Sequence, residues 1–411
     1  MIYQMCENCF KNKWLKKYII DNGQVSKCNK CGESSKKTIS FYDKKFQNLF
    51  KGVFRYYYPE ILYNSHWGGT GNWVNLLENE NEIFNFKIEI EDELYYVLDQ
   101  IEAHVYDFDK DVSLYYGGER MDAFMQPIKD EHWFWLDKLN YFVELNNPYV
   151  ITKEIEKEIK DLVRPLEEKM LEEILFRARI GINAILIKPD ILKEDQHKVV
   201  IPYKKAEIGA PKPAIANDGR FNRKGTSYLY LASSMDTAIN EIRPSVGHYV
   251  SIGRFKINRE VKIIDFTKLE FYDYAFSDNA INKYVKLSHL RKIMSIPNPD
   301  KQYTITQCFA DAFINLGYDG IKFYSSVADS SYNVVLFHSG NATYIDDSYQ
   351  AVHINGLKYE YANENMQINE EYLDEYQDLN DPQKDVERII LENFGIPQYS
   401  KMNNIFNSKI N

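Results

Sequence analysis

Cysteine is scarce in this 411-residue chain: it has five, and four of them form two close pairs. No uncharged apolar run reaches the roughly 18 residues that a membrane-crossing helix needs, so no membrane partner is expected. The opening MIYQMCENCFKNKWLKK has no apolar stretch behind a basic start, which argues against a secretory leader and predicts a cytoplasmic protein. Positive charge is in deficit, with 50 Lys and Arg against 60 Asp and Glu, a net charge of −10. That balance excludes a protein that coats nucleic acid with its whole surface. Also missing is a phosphate-binding loop. The one glycine-rich spot in the first half, HWGGTGNW at 66–73, lacks the Lys-Ser/Thr such a loop needs and reads as a turn.

Hydrophobic residues at 44% and aromatics at 15% exclude global disorder, and the length predicts two or three domains. Charge is uneven along them. Residues 1–50 hold ten Lys/Arg against four Asp/Glu, whereas 360–392 hold two against eleven. The basic end could meet an anionic partner such as nucleic acid, and the acidic end would repel one. A charge run is usually a solvated face, and that is the favoured reading of both.

The paired cysteines are Cys6-x2-Cys9 and Cys28-x2-Cys31, with 18 residues between the pairs. This is the spacing of a zinc ribbon, in which each CxxC turn presents two sulfurs and two turns complete a tetrahedron. Asn8 and Gly32 suit the tight turns that bring backbone N–H groups toward sulfur. A disulfide framework is the alternative, and it requires an oxidising compartment. Four thiolates would close the metal shell, so the expected zinc is structural. Cys308 stands alone in an apolar helical segment and reads as a core residue.

Periodicity then divides the chain into a ribbon at 1–40, a mainly helical segment at 41–164, a mixed segment at 165–345 and an acidic extension at 346–411. Helix is expected in the later half of 76–103. Ile151, Ile155, Ile159, Leu162, Val163, Leu166, Met170 and Ile174 recur every three to four residues, predicting helix to about 176, with Pro165 kinking it or starting a second one. Beyond that, Tyr228–Ala232, Tyr249–Phe255, Val261–Asp265, Gly320–Tyr324 and Asn333–Phe337 read as strands. Asp236–Ile242, stopped by Pro244, and Ile305–Leu316, stopped by Gly317, read as helices. Strands and helices mix without regular alternation, which predicts an α+β fold rather than a doubly wound one.

One stretch of the mixed segment concentrates chemistry: GRFNRKGTSYLYLASSMDTAINEIRP, residues 219–244. Arg220, Arg223 and Lys224 lie in a loop closed by Gly225, Tyr228 and Tyr230 share a strand face, and a short helix delivers Glu241 with Ala238 and Ile242 on its packing side. Basic loop, aromatic strand and acidic helix end suit an anionic ligand with a planar group and a bond that breaks toward a cation. Taken singly, each is ordinary loop charge or a surface glutamate.

Together with LFRAR at 175–179 and YTITQCFADAFINLGYDGIKFYSSVADSSYNVVLF at 303–337, this stretch resembles the RES domain family over about 176–340. The resemblance implies an ADP-ribosyltransferase-like mixed α/β fold and an NAD-degrading toxin paired with an Xre-type antitoxin or another neutralising protein. Some members are NAD phosphorylases. More loosely, the ribbon and helical segment resemble the HEPN-like extension of longer members. The Arg-to-His pairing of HEPN nucleases is missing around His66, His104 and His132, so a scaffold is expected there.

By the resemblance, Arg177 and Arg220 match the family arginines, Tyr230 the strand tyrosine, Glu241 the helix glutamate and Ser326 the serine. Ser325 stands where the family usually has proline, so either hydroxyl could face the site, and Arg179 could replace Arg177. Arginine forks suit the pyrophosphate of NAD. Tyr230 would stack on nicotinamide, Ser326 would fix the ribose by hydrogen bonds, and Glu241 would stabilise the cationic ribose formed as the glycosidic bond breaks. The acceptor would then be phosphate or water. Phosphate is favoured here because Arg223 or Lys224 would supply a spare cation beside the reacting carbon. Transfer to a protein acceptor is a lesser alternative. A catalytically inactive, zinc-dependent nucleic-acid-binding protein is the rival reading, and the sequence leaves oligomeric state open.

Overall fold

The computed structural model describes residues 3–65, 69–70, 72–78, 81–90, 92–101, 106–107, 112–113, 126–131, 133–188, 197–297, 303–328 and 330–358. The acidic run 360–392, His66, His104 and His132 lie outside them. Met1–Gly356 forms one compact unit; of the second, Leu357–Asn411, only the first two residues are described.

The chain opens with a small antiparallel sheet, β1 (Gln4–Cys6), β2 (Gln24–Val25) and β3 (Lys37–Ser40), in the order β1-β3-β2. Helix α1 (Lys13–Asn22) starts where the Asn12 side chain accepts the Trp14 and Leu15 amides, and it buries Trp14, Leu15, Tyr18 and Ile19 as one stripe. Helix α2 (Lys44–Tyr57) is capped by Asp43 and turns Phe46, Leu49, Phe50, Val53 and Phe54 inward. Then come α3 (Glu93–Asp99), within the expected half of 76–103, and a short hairpin of β4 (Tyr106–Asp107) and β5 (Val112–Ser113). Helices α4 (Phe134–Leu145) and α5 (Pro148–Ile159) follow, the second with proline in its first turn.

The helix expected through residue 176 ends at Ile159. Pro165 lies in a 3-10 turn, Arg164–Leu166, and the chain continues as strands β6 (Glu167–Met170) and β7 (Ile174–Ile180). Met170 and Ile174 keep a helical spacing but sit on separate strands. Their pairing partners, Val261–Asp265 and Tyr249–Ile257, lie far along the chain, and local periodicity carries no trace of such long-range pairing.

The remaining elements are the hairpin β8 (Ala184–Lys188) and β9 (His197–Ile201), β10 (Leu229–Ala232), α6 (Met235–Glu241), β11 (Tyr249–Ile257) and β12 (Val261–Asp265). After these come α7 (Asp278–Ser295), α8 (Thr304–Asn315), β13 (Gly320–Tyr324), β14 (Tyr332–Leu336), β15 (Ala342–Tyr344) and β16 (Gln350–His353). Nine strands make one sheet in the order β15-β11-β7-β10-β14-β13-β12-β6, with β16 also on β11. Its pairs are antiparallel except β12 with β13, which α7 and α8 connect. This is an α+β sheet, and it runs past residue 345 to His353.

Alternation along the strands divides the core. Ile264, Ile321, Phe323 and Val335 face α7 and α8, in a cluster that also takes in the N-terminal sheet, α1 and α2. Leu175, Leu229, Leu231, Ile263, Val334 and Leu336 fill a cluster on the other face. A third, smaller cluster of Ala178, Ala232, Ala238, Val250 and Ile252 seats α6. Cys308 is fully buried, as a core residue should be.

Candidate active site

The loop before β10 is organised by Asn222. Its Nδ2 donates to the carbonyls of Asn217 and Thr226, each at 2.9 Å, and its Oδ1 accepts the Tyr230 hydroxyl at 2.8 Å. Gly225 turns the chain at φ +85°, where its missing Cβ is needed. From α8, Gln307 Nε2 donates to the carbonyls of Gly219 (3.0 Å) and Asn222 (3.1 Å), and the Thr306 hydroxyl donates to that of Arg220. At Gly219 a Cβ would stand 2.3 Å from Asn222 Oδ1, so only glycine fits against this network.

This scaffold fixes Arg220. Its guanidinium lies over the rings of Phe221 (5.6 Å) and Phe323 (5.5 Å), and Nη2 donates 3.1 Å to the Ile293 carbonyl of α7. Burial pushes its pKa down to about 10 against the opposing pull of Glu241, Tyr303 and Tyr230, which leaves it a cation at neutral pH. Tyr230 is half-buried on β10. Its hydroxyl accepts the Phe221 amide at 3.2 Å and donates to Asn222, and its ring stacks on Phe221 at 6.5 Å. Burial pushes that phenol up, so it stays protonated.

Glu241 closes α6, which Ser234 caps by accepting the Thr237 amide. Ala238 is buried beneath it and Ile239 and Ile242 pack beside Ala238, so the helix rolls the carboxylate toward β13 and β14. Ser325 Oγ donates to Glu241 Oε1 at 2.7 Å and Asn333 Nδ2 donates to the same oxygen at 2.6 Å. Ser326 is exposed, so of the two serines it is Ser325 that meets Glu241. A carboxylate in a helix's last turn faces the negative end of the dipole, a cost of about 0.3–1 kcal/mol that such donors offset.

Arg177 shares the strand parity of Leu175, opposite to the Phe176 and Ala178 face on which α6 packs. Strands β7 and β10 meet at one register pair, Ala232 with Phe176, and Arg177 Nη1 donates to the Tyr230 carbonyl at 2.8 Å. Burial pushes its pKa down to about 10, and its buried Nε has no hydrogen-bond partner among the described residues. Arg179 turns elsewhere, onto the Tyr203 ring and the Glu207 carbonyl. Arg177 is therefore the arginine of the pair that reaches Tyr230.

The spare cation expected at Arg223 is engaged. Its guanidinium bonds the Asp311 carboxylate and lies 3.4 Å from Cys308 Sγ, because α8 brings an acid under this part of the loop. Lys224 is exposed, and its amide donates to Asp218. Asn333 went unread in the sequence. Its signal was faint: one polar residue ahead of Val334, Val335 and Leu336 in a buried strand.

The four paired cysteines converge. Their sulfurs all lie within 4.8 Å of one another, at 3.8 Å for Cys6–Cys9, 3.5 Å for Cys6–Cys31 and 3.7 Å for Cys9–Cys28. A tetrahedron with metal–sulfur bonds of about 2.3 Å has edges of about 3.8 Å, so the set fits a thiophilic ion. No disulfide joins these four cysteines, and their sulfurs share one centre. Burial pushes the Cys28 thiol up, yet the backbone amides of Cys31, Cys6 and Lys30 outweigh it and bring it down to about 7.

Residues 198–355 match the family described as the RES domain. The matched stretch contains Arg220, Tyr230, Glu241, Ser325, Ser326 and Asn333, and begins after Arg177. Among curated proteins none matches the chain. A solved structure similar to it is the crystal structure of the M. tuberculosis MbcT-MbcA toxin-antitoxin complex, at 12% identity, 48% coverage of this chain, 92% of that chain and a TM-score of 0.29.

Proposed function

Since residues 198–355 match the RES domain family, we propose that this chain is an NAD-consuming enzyme that breaks the bond between nicotinamide and ribose. The observation that carries the reading is the setting of Glu241: a carboxylate held by Ser325 and Asn333, with the cation Arg220 and the ring of Tyr230 acting across the same face. As nicotinamide leaves, positive charge grows on the ribose carbon, and a fixed carboxylate stabilises it without reorganising. Arg220, whose guanidinium lies over two rings and is held by the Ile293 carbonyl, offers a fixed fork to the pyrophosphate. Tyr230 contributes its ring, because its hydroxyl is already engaged twice. Arg177, on the strand parity opposite to α6, holds the Tyr230 carbonyl and steadies that ring from behind, and Ser325 rather than Ser326 supplies the hydroxyl at Glu241.

Water or inorganic phosphate accepts the ADP-ribosyl group. With Arg223 bonded to Asp311, the argument for phosphate from surplus charge loses its main support. Cys6, Cys9, Cys28 and Cys31 would hold one zinc ion, which supplies a cross-link between two turns of chain. The partner is a neutralising antitoxin of the kind the family resemblance implies. Purified protein incubated with NAD, with and without phosphate, tests the proposal. Nicotinamide release is expected, with ADP-ribose or its 1″-phosphate as the second product. Glu241→Gln should lower kcat by ~10²–10³ while NAD binding persists. Turnover close to wild type in folded Glu241→Gln protein would refute the role of Glu241.

A further inference from the structure

Strand β14 contributes one polar side chain to an otherwise apolar run: Asn333, 8% exposed, opposite Ala232 on β10 and Phe323 on β13. Burying an amide costs about 1–3 kcal/mol unless it is hydrogen-bonded, so its bond to Glu241 accounts for its presence there. Ser325 arrives from the turn after β13. Its Oγ already accepts the Val327 amide at 3.2 Å, so its hydrogen is left for Glu241. Both donors reach the same oxygen, Oε1. Among the described residues no hydrogen bond reaches Oε2.

We infer that Asn333 is a positioning residue, which with Ser325 locks the rotation of the Glu241 carboxylate so that Oε1 is saturated and Oε2 is kept for the reacting ribose. The inference rests on the reading of Glu241 as the carboxylate of an NAD-cleaving site. Rotation about the last side-chain bond of a glutamate is broad and nearly free. An unclamped Glu241 would sample many orientations, whereas catalysis by fixed charge needs one. The charged group facing Glu241 from the loop is Arg220. The turn after β13 and strand β14 bring the neutral donors Ser325 and Asn333. Asn333 therefore acts through Glu241 and need not touch the substrate.

The test compares full-length wild type, Asn333→Ala and Asn333→Asp in steady-state NAD cleavage, thermal melting and kcat–pH profiles. Asn333→Ala should lower kcat about ten- to a hundredfold with KM within about threefold and little change in melting temperature. Asn333→Asp replaces a donor by a carboxylate beside Glu241, so the acid limb of its kcat–pH profile should move up by about one unit or more. A residue that merely packed α6 on β14 would leave that limb in place. Unchanged kcat in both variants, or losses that only track melting temperature with an unmoved acid limb, would overturn the inference while NAD cleavage by wild type still stands. Wild-type protein that leaves NAD intact would overturn the inference together with the function it rests on.

Discussion

Arg223 and Asp311 form an ion pair that ties the 217–226 loop to α8. Both side chains are about one-third exposed, so the pair acts mainly as a brace whose strength solvent reduces. Arg223→Gln and Asp311→Asn should each destabilise the protein slightly, and the double variant should be little worse than either single one. Urea unfolding of the three variants reads this directly. Fully additive losses would mean that the two residues act independently, and a phosphate dependence that rises in Asp311→Asn would return Arg223 to the acceptor site.

Arg220→Lys keeps the charge but loses both the flat group that rests on Phe221 and Phe323 and the fork. Affinity for NAD is expected to fall about tenfold, or ~1.4 kcal/mol, by titration with a non-cleavable NAD analogue. Equal affinity in Arg220→Lys and Arg220→Ala would place the pyrophosphate elsewhere, with Arg177 the first candidate.

Much of this site was legible because its parts are close in sequence. Arg220, Tyr230 and Glu241 fall within 22 consecutive positions, and the loop, strand and short helix that carry them each have a local signature in glycine, aromatic and capping residues. The strands Val261–Asp265 and Gly320–Tyr324 were readable to the residue, because β-branched and aromatic runs end at turn formers. What stayed hidden depends on distance along the chain. Asn333 lies 92 residues from Glu241, and Asp311 lies 88 from Arg223. Helix α7 was also missed: its buried positions, Ile281, Tyr284, Val285, Leu287, Leu290 and Met294, spread around too much of the helix to form one stripe.

Glu131 supplies a pH prediction. It is 5% exposed, its Oε2 has no partner among the described residues, and burial pushes its carboxyl up to about 9. An acid that holds its proton more tightly folded than unfolded gives stability that is complete below the ordinary glutamate range. That stability is lost progressively as pH rises from there toward 9. Glu131→Gln should leave the melting temperature little changed near pH 4 and raise it near pH 8. Melting curves at the two pH values check this, and an equal effect at both would show that the carboxyl is not the cause.

Metal analysis should find about one zinc per chain, and Cys28→Ser should remove it along with folding of the N-terminal sheet. Structural zinc sites bind with ~10–16 kcal/mol near neutral pH, and their thiolates must be deprotonated. Chelator should therefore lower the melting temperature more effectively as the solution is acidified. Metal-free protein with an unaltered melting curve would refute the zinc assignment.

The ring of Trp14 in α1 lies 4.9 Å from Phe271, Phe271 lies 5.0 Å from Tyr284 of α7, and Arg55 of α2 reaches Asp278 at the start of the same helix. At the other end of α7 the Ile293 carbonyl holds Arg220. A protease cut in the ribbon would therefore not trim an appendage. It would uncover the rings against which α7 rests, and the slackening would pass along that helix to the arginine. In this chain the first sixty residues and the guanidinium are joined like a beam and its footing.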